Sequence, residues 1–191
     1  VSDMMKELNE VYQQLGPRFI FRKGLNRLEL PLCEIGVVDS VCLKYSKKRL
    51  KKRMQSENSL EDILETISLW DEIGEYTGFG RYRFLRAVQH REAIQGIAKY
   101  VEKHHPQTVV EVGTHLGGSL YVWTRYLEPE RIVCVDLSYQ EREQFLKEFL
   151  PTESTLIKGD STKSQTATQV DEALNGKSID FLYIDGSHAY E

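Results

Sequence analysis

The feature that most constrains the fold is a regular series of short apolar segments, each followed by a glycine or an aspartate. These segments end at Gly113, Asp136, Asp160 and Asp185, at successive intervals of 23, 24 and 25 residues. Apolar residues recur at helical spacing between them, so each interval accommodates one strand, one helix and their connections. Such alternation predicts a parallel sheet with right-handed crossovers. Ligands of such sheets bind beyond the carboxyl ends of the strands.

The same pattern predicts where the individual elements lie. We expect strands at residues 108–112, 132–135, 154–157 and 179–184 because these runs are short and rich in β-branched residues. Helices are expected near residues 120–127, 145–150 and 170–174. Gly176 is well placed to cap the last of these helices.

Upstream of Pro106 the sequence is mainly helical in pattern. Helices are expected over about residues 4–15, 59–70 and 84–104. The second begins at Ser59, with Asp62 completing a capping box. Gln89 with His90 is expected at the surface of the third, with an approach to a bound ligand as the alternative. We interpret residues 1–83 as a mainly helical extension, which serves as a cap over a site or as an oligomer contact, and residues 84–191 as a Rossmann-like domain.

The composition is that of an ordinary soluble globular protein, with 40% hydrophobic and 28% charged residues. A net charge of −4 argues against a dedicated nucleic-acid binder. The basic run at residues 44–53 is interpreted as a solvated helix face, with a nucleic-acid patch as a remote alternative. Three scattered cysteines predict free thiols and a cytoplasmic location. No apolar stretch approaches the roughly 18 residues of a membrane span.

The segment 109–119, Val-Val-Glu-Val-Gly-Thr-His-Leu-Gly-Gly-Ser, leaves the first predicted strand and enters a helix. Glycines at such a turn permit positive φ angles and the close approach of a ligand. A dinucleotide-binding loop would read Gly-x-Gly-x-x-Gly, but His115 occupies the position of the second glycine. The loop therefore disfavours NAD or FAD, and an NAD-dependent Rossmann oxidoreductase is kept only as an alternative.

Two motifs in this part of the chain point to one family. Glu111, Gly113, Thr114, Gly117 and Ser119 give Glu-x-Gly-Thr-x-x-Gly-x-Ser, which resembles motif I of class I S-adenosylmethionine-dependent methyltransferases. The match is closest to the small-molecule O-methyltransferase and cephalosporin-hydroxylase-like branch. Residues 184–191, Ile-Asp-Gly-Ser-His-Ala-Tyr-Glu, resemble a segment of the same branch.

The resemblance covers about residues 85–191 and carries an expectation about the fold. It implies an α/β Rossmann-like sheet with helices on both faces. The family's sheet normally has seven strands, whereas four are predicted here, so we expect the C-terminal strands to be missing and the 191-residue chain alone to be inactive.

The resemblance also implies roles for individual residues. The loop at Glu111–Ser119, with His115, would bind the methionine part of S-adenosylmethionine, and Asp136 would accept hydrogen bonds from its ribose. Asp160 and Ser161 would lie beside the adenine, although either residue could instead cap the next helix.

The last motif would supply the catalytic residues. Asp185 would ligate Mg²⁺ or another divalent cation and orient the acceptor. His188 would be a general base, a metal ligand or a structural hydrogen-bonding residue. These assignments predict methyl transfer to a small-molecule acceptor, most readily an oxygen. A non-catalytic cofactor-binding or regulatory protein of the same fold is the alternative.

Overall fold

The computed structural model describes residues 50–67, 89–139 and 143–186, together with Lys44, Lys47, Lys48 and Leu85. Residues 51–68 and 84–191 form one compact unit, which contains almost all of the described positions. The extension predicted over residues 1–83 lies mostly outside them, so its fold and role stay predictions.

The described chain alternates helices with strands. Residues 50–56 are helical. The helices that follow are α1 (Leu60–Ile67), α2 (Arg91–Glu102), α3 (Gly118–Val122), α4 (Glu143–Leu146) and α5 (Ser164–Leu174), and α3 continues directly into a π-helical turn at Trp123–Leu127. The strands are β1 (Thr108–Val112), β2 (Arg131–Asp136), β3 (Glu153–Lys158) and β4 (Phe181–Ile184).

The four strands form one parallel sheet in the order β3-β2-β1-β4. The chain moves outward from β1 to β2 and β3, and then returns to the other side of β1. The predicted parallel α/β sheet is therefore confirmed. The reversal also places a topological switch point between β1 and β4, where ligands of such sheets bind.

Different side chains pack against the two faces of the sheet. On one face Val110, Val133, Val135 and Ile157 pack with Leu174 of α5. On the other face the Trp123 ring packs edge-on against Phe181 and Tyr183, with ring centroids 5.2 Å and 5.1 Å apart. This second face also buries Glu111, because alternate residues of a strand point to the same side.

The capping box predicted at the start of α1 is present. The Asp62 backbone N–H donates to Ser59 Oγ at 3.2 Å, and Asp62 Oδ2 accepts from the Asn58 backbone N–H at 2.9 Å and from Ser59 Oγ at 2.8 Å. The bond from Asn58, followed by that from Ser59, lowers the pKa of the Asp62 carboxyl.

A buried polar network joins this helix to the α/β part of the unit. The Glu57 carboxylate accepts hydrogen bonds from Tyr121 Oη at 2.7 Å and from Thr66 Oγ1 at 2.7 Å. Arg125 Nε donates to the same carboxylate at 3.3 Å, and the Glu57 side chain is only 2% exposed.

Several element boundaries differ from the sequence prediction. Helix α2 begins at Arg91 rather than near residue 84. Helix α4 ends at Leu146, and the Phe149 N–H then donates to Leu146 O at 3.2 Å in a tighter turn. The left-handed residue that caps α5 is Asn175, with φ 51°, and Gly176 follows at φ 76°. None of the helices in the described ranges is long and apolar enough to cross a membrane.

Candidate functional site

The turn after β1 brings the ends of two strands together. Gly113 has φ 92°, as the sequence predicted for a glycine here. A Cβ at this position would lie 2.4 Å from the Asp185 carbonyl oxygen. The Asp185 backbone N–H donates to Val112 O at 2.8 Å. The absence of a side chain at Gly113 therefore allows the protein backbone after β4 to approach closely. The sequence pattern predicted the close approach of a ligand instead.

The same loop positions Asp136. His115 has φ 45°, a left-handed conformation that costs a non-glycine residue about 1 kcal/mol. Its backbone N–H donates to Asp136 Oδ2 at 2.8 Å, and the Ser138 N–H donates to Oδ1 at 3.0 Å. Each carboxylate oxygen can accept a further hydrogen bond. The structure thus brings the glycine loop and Asp136 together, as predicted.

Glu111 is completely buried beneath the helix that follows the loop. Its Oε1 accepts from Ser119 Oγ at 2.7 Å and from Trp123 Nε1 at 3.1 Å. Its Oε2 has no hydrogen-bond partner within the described chain. Burial raises the pKa of Glu111 to about 7, even though the bonds from Ser119 and Trp123 lower it.

Four buried polar atoms near the carboxyl ends of β1, β2 and β4 have no hydrogen-bond partner among the described residues; they are Gln89 Oε1, Glu111 Oε2, Thr114 Oγ1 and Tyr139 Oη. The Thr114 hydroxyl lies near enough to Glu111 and Tyr139 to lower the pKa of each, but it completes a hydrogen bond with neither. Buried polar atoms are nearly always paired. Gln89 Oε1 and ionised Glu111 Oε2 fit a ligand that brings hydrogen-bond donors, whereas the two hydroxyls can donate or accept.

Tyr139 is a residue that the sequence analysis missed. Its side chain is 5% exposed, and burial is the largest cause of its raised pKa, followed by the nearby Cys134. An aromatic residue three positions after the aspartate of β2 was the only local signal. Its approach to Thr114 depends on how β1 and β2 pair.

Asp160 and Ser161 lie on the turn between β3 and α5. Asp160 Oδ1 accepts from the Thr162 backbone N–H at 2.9 Å and from Thr162 Oγ1 at 2.7 Å, and these bonds lower the pKa of Asp160. The residue preceding α5 is Lys163, which makes no side-chain cap. Neither Asp160 nor Ser161 caps this helix, so the capping alternative is wrong. A role beside the adenine stays a prediction.

Asp185 directly follows β4, and its carboxylate accepts a hydrogen bond from Gln89 Nε2. Gln89 was expected on the surface of a helix; it instead precedes α2 and is part-buried.

His188 lies outside the described residues, and its assigned roles stay predictions. Across the described ranges no three His, Cys, Asp or Glu side chains group as a metal site.

The comparisons with known proteins agree with this arrangement. A family model described as a methyltransferase domain matches residues 110–191, which run from β1 to beyond β4 and contain the glycine loop and three strand-end aspartates. No curated protein and no solved structure matches the chain. Residues 110–191, which are less than half of the chain, are therefore similar to a methyltransferase domain, and their parallel sheet flanked by helices is consistent with a Rossmann-like fold.

Proposed function

We propose that this protein binds S-adenosylmethionine at the carboxyl ends of β1, β2 and β4 and transfers its methyl group to a small-molecule acceptor, most readily at an oxygen. The observation that carries the proposal is the set of buried, unpartnered polar atoms at this edge. Three of these atoms, on Glu111, Thr114 and Tyr139, lie within residues 110–191, which match a methyltransferase domain. A cytoplasmic location and a homo-oligomer remain expectations alongside this proposal.

The described residues offer complementary contacts to each part of the cofactor. The loop at Glu111–Ser119, with His115, would hold the methionine part, whose ammonium donors match the unpartnered acceptors. Asp136 is held by two backbone N–H groups and keeps acceptor capacity for the ribose hydroxyls. Asp160 and Ser161 would lie at the adenine.

The protein's contribution to the reaction is mainly positional. When bound, S-adenosylmethionine supplies an electrophilic methyl group on a sulfonium that leaves as a neutral thioether. The chain must align the acceptor oxygen with that methyl group and exclude water. Asp185 would orient the acceptor hydroxyl, and Asp185 or His188 would take its proton.

A divalent cation is not needed to derive these roles. Asp185 offers a carboxylate of the kind that Mg²⁺ prefers. Metal assistance by Mg²⁺ or another divalent cation, with Asp185 as one ligand, stays an expectation.

Isothermal titration calorimetry of the purified protein with S-adenosylmethionine, S-adenosylhomocysteine and NAD tests the proposal. We expect the first two ligands to bind and NAD not to bind. Asp136→Asn should weaken S-adenosylmethionine about tenfold by weakening the ribose hydrogen bonds. Asp171→Asn, which changes an exposed aspartate on α5, is the matched control.

Two results would change the conclusion. Binding of NAD without binding of either sulfur compound would overturn the proposal in favour of an oxidoreductase. Tight cofactor binding without methyl transfer to a panel of hydroxylated small molecules, by a chain that includes the expected C-terminal strands, would favour the non-catalytic alternative.

A further inference from the structure

Gln89 connects two distant parts of the chain at the candidate site. It lies two residues before α2 and 96 residues before Asp185, and its Nε2 donates to Asp185 Oδ2. A carboxylate can only accept hydrogen bonds, so the amide N–H group must face Asp185. The carbonyl oxygen is then the end of the amide that remains for another partner.

The bond from Gln89 complements what β1 already does for Asp185. The Asp185 backbone is held by the hydrogen bond to Val112 O at 2.8 Å and by close packing on Gly113. These contacts position the main chain of Asp185. Gln89 adds a hydrogen bond to its side-chain carboxylate.

The carbonyl oxygen of Gln89 is itself unsatisfied. Gln89 Oε1 is buried and accepts no hydrogen bond from any described residue. A buried acceptor without a hydrogen bond destabilises the folded protein, and a donor on a bound ligand would supply the missing bond. The same amide contacts the Asp185 carboxylate through its Nε2, so a negative charge lies beside this oxygen. A positively charged donor is the ligand group that suits it.

We propose that Gln89 is a positioning and cofactor-binding residue: its amide N–H group holds the Asp185 carboxylate, and its Oε1 accepts a hydrogen bond from the ammonium at the amino-acid end of the cofactor. This inference rests on the proposed function, because it requires that S-adenosylmethionine occupies the carboxyl edge of the sheet.

Calorimetry on three variants tests the assignment. Gln89→Ala should weaken S-adenosylmethionine and S-adenosylhomocysteine about tenfold each. It should leave methylthioadenosine unchanged, because that compound lacks the ammonium. Gln95→Ala is the matched control: Gln95 also donates its amide to a carboxylate, that of Glu61, but from α2 and away from the strand ends. It should bind all three ligands as the wild type does.

A second variant separates hydrogen bonding from simple packing. Gln89→Leu keeps most of the side-chain volume but removes both the donor and the acceptor. We expect it to weaken S-adenosylmethionine and S-adenosylhomocysteine about tenfold, as Gln89→Ala does. Wild-type affinity in Gln89→Leu would show that residue 89 acts through packing and would overturn the assignment.

The outcomes distinguish this inference from the proposed function. If the wild type binds S-adenosylmethionine and Gln89→Ala binds it equally well, the role of Gln89 is overturned while the function stands. An equal loss for methylthioadenosine would also overturn it, since the substitution would then have disturbed the loop in general. If the wild type binds none of the three compounds, the proposed function fails and the role of Gln89 falls with it.

Discussion

Replacing Glu111 by Gln should change the stability of the protein in a pH-dependent way. The carboxyl is 0% exposed, and burial raises its pKa from 4.5 to about 7. The folded protein therefore keeps a proton on Glu111 between about pH 4.5 and 7, where the unfolded chain has already lost it. The stability from the protonated carboxyl is complete below the unfolded pKa and is lost as the pH rises through this window.

The size of the effect follows from the shift. A pKa shift of about 2.5 units, at 1.36 kcal/mol per unit, lowers the free energy of unfolding of the wild type above pH 7 by about 3 kcal/mol. The reference is the same protein with a neutral group at position 111. Glutamine is neutral throughout and keeps an acceptor oxygen for Ser119 and Trp123. The stability advantage of Glu111→Gln should therefore be no more than about 1 kcal/mol at pH 5 and rise to about 3 kcal/mol at pH 8.

Urea unfolding of both proteins at several values between about pH 5 and 8.5 measures the difference. In thermal unfolding, the same free energy corresponds to about 6–12 °C in Tm for a chain of this size. Glu172→Gln, at an exposed position on α5, is the control and should show no pH-dependent difference. A constant gap between Glu111→Gln and wild type across this range would refute the reasoning.

The same substitution should act in the opposite direction on function. Ionised Glu111 would attract the positive charges of S-adenosylmethionine, and glutamine removes that attraction. We expect Glu111→Gln to bind the cofactor at least about tenfold more weakly at pH 8 while being the more stable protein. Equal affinity in calorimetry would show that the carboxylate does not face the cofactor.

Three further predictions concern the packing around the site. Gly113→Ala should destabilise the fold by about 3 kcal/mol or more in urea unfolding, because its Cβ would meet the Asp185 carbonyl at 2.4 Å and its φ is positive; a loss below about 1 kcal/mol would contradict this. Tyr121→Phe should cost about 1–3 kcal/mol by removing a donor to the buried Glu57 carboxylate, and unchanged urea unfolding would show that the bond contributes nothing. Cys134 should resist thiol reagents in the native protein and react on unfolding, since burial raises its pKa; rapid native labelling would disprove that environment.

The strands were predictable because their signal is local. Runs of β-branched residues predicted all four to within two residues at either end, and the regular intervals predicted a parallel arrangement. The helix boundaries were less accurate. Gln89 was assigned to a helix because apolar spacing continues through it, but the contact with Asp185 takes precedence over that local pattern.

Some residues of the candidate site could likewise be predicted from the sequence, and others could not. Glycines and aspartates at strand ends are visible in a sequence, so the amino-acid pattern is enough to select Gly113, Asp136 and Asp185. It is not enough to select Tyr139 or the unpartnered oxygen of Glu111, because their burial depends on neighbours contributed by other strands and helices. His188 stays a prediction.

The sequence by itself determined that this chain forms alternating strands and helices and that a glycine loop of the methyltransferase type follows the first strand. Both depend on interactions between residues close in the chain. Only the tertiary structure decided that β4 returns beside β1, that Gly113 makes room for protein backbone and that Gln89 reaches Asp185 across 96 residues. Those outcomes depend on which surfaces pack together, and no local pattern encodes that choice.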